Sequence, residues 1–149
     1  MNTMSRSTTR HRSADVAVGY AADGAGVGYA YAIVGTGAGR GEVRVPFTCR
    51  PLAALEGREA GYAAVAAVAA HLRGRGYTRV RLRFGHAGVV DELSGRVAAH
   101  PALAMAYVKT RCALHAFAVA RVERAEPVEI EELTARARAD IGERASAAA

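Results

Sequence analysis

Tryptophan is absent from these 149 residues, phenylalanine occurs three times and cysteine twice. Large aromatic side chains therefore cannot build the core. It must come from small ones, chiefly the Ala and Val that dominate the 51% apolar fraction, which is itself high enough to exclude a disordered chain. Cys49 and Cys112 stand far apart and in no CxxC pair. That excludes a disulfide framework and a cysteine-based zinc site, and it suits a reducing, cytoplasmic compartment. Membrane-length apolar runs are missing too: the Ala/Val stretch Ala60 to Ala70 is too short to span a bilayer and is bounded by Glu59 and His71. Met1 to Ser13 is polar and basic, without the apolar segment of a secretory signal.

What is present is an excess of positive charge. The formal net charge is +6, part of it near the start at Arg6, Arg10 and Arg12. Such a balance favours polyanions such as nucleic acid as partners. The length fits one domain.

Hydrophobic periodicity divides the chain into a basic arm over residues 1–14, a folded domain over 15–144 and a frayed Ala-rich tail over 145–149. Strands are predicted over 15–22 and 27–34, joined by the turn residues Asp23-Gly24-Ala25-Gly26. A third strand, 42–47, follows a Gly-rich turn over 35–41. It alternates Val43, Val45 and Phe47 with polar residues, and Pro46 suits an edge position. Residues 52–73 read as a helix with Leu52, Leu55, Glu59, Tyr62, Ala66 and Ala69 or Ala70 on one face. Strand 79–84 points Val80, Leu82 and Phe84 one way and Arg79, Arg81 and Arg83 the other. Helices over 89–100 and 101–117, a strand over 118–123 and a final helix over 129–144 complete the order β-β-β-α-β-α-α-β-α. Three meandering strands followed by helical crossovers imply an α/β domain with a mixed five-stranded sheet and helices on its faces.

This order, and several local stretches, resemble the type 1 ribonuclease H family. Val89-Val90-Asp91-Glu92-Leu93-Ser94-Gly95 is similar to the start of the family's helix after the fourth strand. His100-Pro101-Ala102-Leu103, with Tyr107 and Phe117, resembles its "NPxL…Y…F" connection. Arg121 to Pro127, followed by Leu133, resembles its closing segment, and Arg58-Glu59 sits at the family distance before the glycine that closes the first helix. The resemblance implies a ribonuclease H-like fold over roughly residues 15–138. It also implies Mg²⁺ as cofactor if the site is catalytic, and an RNA/DNA hybrid or duplex as partner.

In the family, four carboxylates hold two Mg²⁺ ions that cleave RNA in RNA/DNA hybrids. Carried over, the helix glutamate matches Glu59 and the last acid matches Glu131 or Glu132. These make Glu59 and Glu131 the candidate metal ligands. The acid at the end of the fourth strand falls on Gly85, with His86 beside it. The acid of the first strand falls near Gly19 or Tyr20. Neither position carries a carboxylate. Asp23 and Asp91 are the stand-ins for a divergent catalytic set. As ordinary residues, Asp23 is a turn former and Asp91 a solvated helix acid. The cluster Arg73, Arg75, Arg79, Arg81 and Arg83 is either a phosphate-contacting surface or a strand face whose charges are paired.

Three functions follow as expectations. The first is a ribonuclease H-like module with weak or no nuclease activity that binds nucleic acid or another partner, a pseudo-nuclease. The second is a divergent Mg²⁺-dependent endoribonuclease using Asp23, Glu59, Asp91 and Glu131. The third is a structural or dimerising domain whose partner is a second copy or another protein.

Overall fold

The structure is a computed structural model that describes residues 12–52 and 57–147. Ten-residue strands β1 (Ser13–Ala22), β2 (Val27–Thr36) and β3 (Gly39–Thr48) form an antiparallel meander. Helix α1 (Arg58–Gly74), strand β4 (Arg79–Phe84), helix α2 (Ala87–Leu93), helix α3 (Ala104–His115), strand β5 (Val119–Arg124) and helix α4 (Pro127–Ala147) follow. The sheet order is β3-β2-β1-β4-β5, with β1, β4 and β5 parallel. The mixed five-stranded α/β architecture expected from the pattern is the one observed.

The differences are local and have physical reasons. The Gly35–Gly41 stretch is mostly ladder rather than loop: Thr36 pairs with Gly39, so only two residues turn. Backbone hydrogen bonds carry a hairpin through glycines whose side chains give no strand signal. The helix predicted to reach His100 stops at Leu93, because Gly95 adopts φ +75 and reverses the chain. The helix predicted from Pro101 begins as a single 3₁₀ turn, Pro101–Leu103, before α3. Strand β1 starts inside the segment expected to be an arm, and α4 runs through 145–147, which were expected to fray. The rest of the expected arm, 1–11, and residues 53–56 of the first predicted helix lie outside the described residues, while Leu52 is not helical. Among the described residues no helix is long and apolar enough to cross a membrane.

Strand alternation decides which face each residue serves. Val16, Val18, Val80, Leu82 and Phe84 are buried with α1 and α3. The buried stripe of α1 is Ala60, Gly61, Ala64, Val65, Val68 and Leu72, together with Tyr62 and Ala69. It is rotated from the predicted stripe, in which Glu59 and Ala66 prove only half-buried and Ala70 exposed. Pro46 lies on β3, an edge strand, where its missing N–H costs no ladder bond.

Helix α4 covers the opposite face, over β1 and β2. Its approach is close: a Cβ on Gly19 would lie 2.6 Å from the Thr134 backbone N and 2.7 Å from Leu133 Cβ. Farther along, Asp140 accepts hydrogen bonds from the Tyr31 hydroxyl and from Arg44 Nη1, the latter at 3.2 Å, and Arg136 bridges Glu42 and Glu132. The helix is thus tied side chain by side chain to β2 and β3.

Two consequences are measurable. Gly19→Ala forces backbone against backbone, so its thermal midpoint should fall by roughly 3–10 °C, the effect of about 1–3 kcal/mol of overpacking in a domain of this size. An unchanged or higher midpoint would show that α4 does not approach β1 so closely. The second concerns acid. The Tyr31 hydrogen bond, with help from Arg44, holds the Asp140 carboxyl below its usual range. A depressed carboxyl contributes stability above its unfolded pKa and loses it as pH falls through the folded value. Denaturant unfolding between about pH 5 and pH 3 should therefore show wild type losing more stability than Asp140→Asn, and parallel losses would discount the interaction.

Candidate functional site

The carboxyl ends of β1 and β4 lie side by side, since Val18 pairs with Phe84. The next residues form one wall of a cleft of about 480 Å³, and α4 forms the other. Its lining includes Tyr20, Gly85, His86, Ile130, Thr134 and Arg138. Among these six there is no carboxylate.

Each position follows from local structure. Gly19 faces α4, so by alternation the residue of β1 directed toward α1 is Tyr20. Its ring stacks on Phe84 at 5.1 Å between centroids and lies 6.4 Å from Phe47. Burial, together with the negative charges of Glu59 and Cys49, pushes the Tyr20 phenol up to about 12. At Gly85 a Cβ would lie 2.2 Å from Ile130 Cδ1. The end of the isoleucine side chain therefore occupies the place of a Cβ at Gly85 and would have to shift to admit one. His86 Nδ1 accepts the Val89 N–H at 3.3 Å and caps α2, which leaves only Nε2 available to a ligand.

The sequence-derived candidates do not assemble around this cleft. Glu59 turns back on the preceding loop, where Oε1 accepts the Leu52 N–H at 3.1 Å, while Oε2 is buried without a hydrogen-bond partner. Asp23 closes the β1–β2 turn, its Oδ1 accepting the N–H groups of Ala25 at 2.9 Å and Val27 at 3.0 Å. Both carboxylates act on Cys49, whose thiol is pushed up by burial first, then by Glu59 and Asp23. Asp91 faces Arg96 at 3.5 Å. Glu131 is exposed, and its neighbour Ile130 is the α4 residue set against Gly85 in the cleft.

Among the described residues no group of three or more His, Cys, Asp or Glu is placed to hold a metal ion. Magnesium ions require several oxygen ligands. A tyrosine, a glycine, a capping histidine and an isoleucine do not provide them, so the residues at these strand ends do not fit a Mg²⁺ pair. The convergence of Asp23, Glu59, Asp91 and Glu131 that a divergent catalytic set would require is not seen among the described residues.

The arginine cluster lies elsewhere. Arg79, Arg81 and Arg83 face the α4 side of the sheet, beyond the part that α4 covers. Arg81 Nε meets Glu123 at 2.6 Å and its Nη1 meets Asp15 at 3.3 Å. Arg83 Nε meets Asp15 at 3.0 Å, and Arg83 also pairs with Glu129. Arg73 Nη1 donates to the Ala116 carbonyl at 2.8 Å. The pattern matches a paired strand face for Arg81 and Arg83. Arg75 and Arg79 remain exposed.

One buried charge escaped the sequence reading. Glu92 is 2% exposed. It accepts from Arg58 Nη1 at 2.7 Å and from the Tyr62 hydroxyl. Burial, and then this hydrogen bond, raise the Tyr62 phenol well above its usual range. The network welds α2 to the first turn of α1. The spacing of Arg58 and Tyr62, four residues apart on one helix face, was the available signal.

No family model matches the sequence, and no curated protein matches it. Solved structures do. Ribonuclease H1 from the halophilic archaeon Halobacterium salinarum NRC-1 superposes with a TM-score of 0.70 at 19% identity, covering 88% of this chain and 98% of that one. The N-terminal ribonuclease H domain of rv2228c from Mycobacterium tuberculosis, solved as a maltose-binding-protein fusion, gives 0.66 at 20% identity over 93% and 99%. LC11-RNase H1, isolated from compost by a metagenomic approach, gives 0.60 at 14% over 85% and 90%. Sheet order, strand directions and these three superpositions agree: the chain has the ribonuclease H fold.

Proposed function

We propose that this domain is a nucleic-acid-binding module on a ribonuclease H scaffold, with little or no metal-dependent nuclease activity. The observation that carries the reading is the contact of Ile130 with Gly85. It places a hydrocarbon where a ligand side chain at the end of β4 would sit. Two-metal hydrolysis needs acids clustered tightly enough to hold a pair of cations about 4 Å apart. Tyr20, Gly85 and Ile130 supply none. The net charge of +6 and the Arg138 and His86 side chains of the cleft favour a phosphate backbone instead. The partner proposed is an RNA/DNA hybrid or duplex, the ligand implied by the resemblance. Cysteines 49 and 112 are both free, which supports a cytoplasmic setting.

The purified full chain should leave a labelled RNA/DNA hybrid uncut in Mg²⁺ or Mn²⁺. Turnover that Glu59→Gln abolishes would instead make the domain a working nuclease. Fluorescence anisotropy should show hybrid binding that weakens steeply between about 50 and 200 mM salt, as expected when phosphate contacts dominate. Absence of salt-dependent binding would reject the nucleic-acid role in favour of a scaffold for a protein partner or a second copy.

The contact itself is open to a double-mutant cycle. Gly85→Asp obliges the end of the Ile130 side chain to move, so a modest loss of stability is expected. Combined with Ile130→Ala, the loss should be smaller than the sum of the single losses by roughly 0.5–3 kcal/mol. Strict additivity in denaturant unfolding would mean that Ile130 does not occupy that position.

A further inference from the structure

At the other end of the sheet, a separate cavity of about 410 Å³ opens between the carboxyl end of α1, the β2–β3 turn and the segment leading into β4. Arg12, Arg40 and Arg75 line it together with His71, and no carboxylate is among its lining residues. This contrasts with Arg81 and Arg83, each matched by two acids. Among the described residues the side chains of Arg12 and Arg75 meet no acidic partner, whereas Arg40 reaches the opposite face of the sheet, beside Asp15 and Glu129. Gathering uncompensated cations around a concavity concentrates positive potential there.

Three further features shape the site for an anion. His71 Nε2 is buried and makes no hydrogen bond, so one polar atom in the cavity wall lacks a partner. The guanidinium of Arg12 lies 4.5 Å from the Tyr77 ring centroid and donates to the Arg75 carbonyl, which fixes it at the rim. The carboxyl end of α1 would ordinarily repel an anion. Here its last carbonyls are occupied: His71 and Leu72 accept from the Arg75 N–H, Leu72 also from Tyr77, and Arg73 from Gly76.

Val34, Val43 and Leu72 add an apolar side to the same cavity. Guanidinium groups match phosphate oxygens as two-toothed donors. The volume exceeds that of a bare ion and falls in the range of small-molecule sites. We propose that this cavity binds a phosphomonoester of mononucleotide size, its phosphate held by Arg12, Arg75 and His71 and its body against the apolar side. The site is independent of the reading of the cleft.

Isothermal titration of the full chain with adenosine 5′-monophosphate tests it. Saturable binding is expected, with inorganic phosphate as a competitor and adenosine without effect. Arg12→Ala and Arg75→Ala should each weaken the mononucleotide about tenfold, the effect of losing one charge-assisted contact. Arg121→Ala, an exposed arginine of β5 outside the cavity, should leave binding unchanged. The His71 ring resonances should shift on titration, a readout that does not depend on any substitution folding. A 5′-phosphorylated single strand is the second arm. Competition identifies a strand end as the source of the phosphate, failure to compete identifies the free mononucleotide, and both support the site. No saturation, equal binding of adenosine, or equal loss in Arg121→Ala would overturn it.

Discussion

The distance between α4 and β1 governs the rest of this structure. At Gly19 the helix backbone comes so near the strand that even a methyl group has no room. That approach fixes the rotation of α4, and the rotation turns Ile130 rather than Glu131 toward the end of β4. Side-chain ties from Asp140 and Arg136 to the meander hold the far half of the helix in the same phase. Helix phase is unforgiving, because one residue changes direction by about 100°. A single close contact in the scaffold thereby decides which kind of atom lines the cleft.

The chemistry follows from that choice. A hard divalent ion is held by oxygens that would otherwise repel one another. Here the corresponding space contains aromatic, aliphatic and imidazole groups, and the carboxylates have other partners. Glu59 accepts a backbone N–H, Asp23 shapes a turn, and Asp91 faces Arg96. Glu92, deeply buried, joins α1 to α2 through Arg58 and Tyr62. A buried carboxylate with these two partners sets how the helices meet, a structural use of charge distinct from metal binding.

Much of the fold was legible in the sequence because period-two and period-3.6 patterns are physical imprints of a buried face. Strand β4 could be bounded at both ends because its alternation of Arg with Val, Leu and Phe is unbroken. The placing of Gly85 just after β4 was legible for a related reason, since Val89, Val90 and Leu93 anchor the helix that follows. The orientation of α4 was not. Glu129, Ile130, Glu131 and Glu132 give no clear phase on their own, and only packing against Gly19 resolves it. Nor was the Glu92 network, whose partners lie on another helix. The pairing of Arg81 and Arg83 with acids on β1, β5 and α4 likewise depended on strand order. That pairing brings together four elements, β1, β4, β5 and α4, that are far apart in the chain.

The cleft also bears on how the protein holds itself together. Sites that gather acids for cations carry electrostatic frustration, relieved only when the ions arrive. At these strand ends Tyr20 stacks on Phe84 and Ile130 sits over Gly85, and the one carboxylate acting on Tyr20 is Glu59. The native basin at this edge is closed by stacking and aliphatic contact, with the His86 cap beside them.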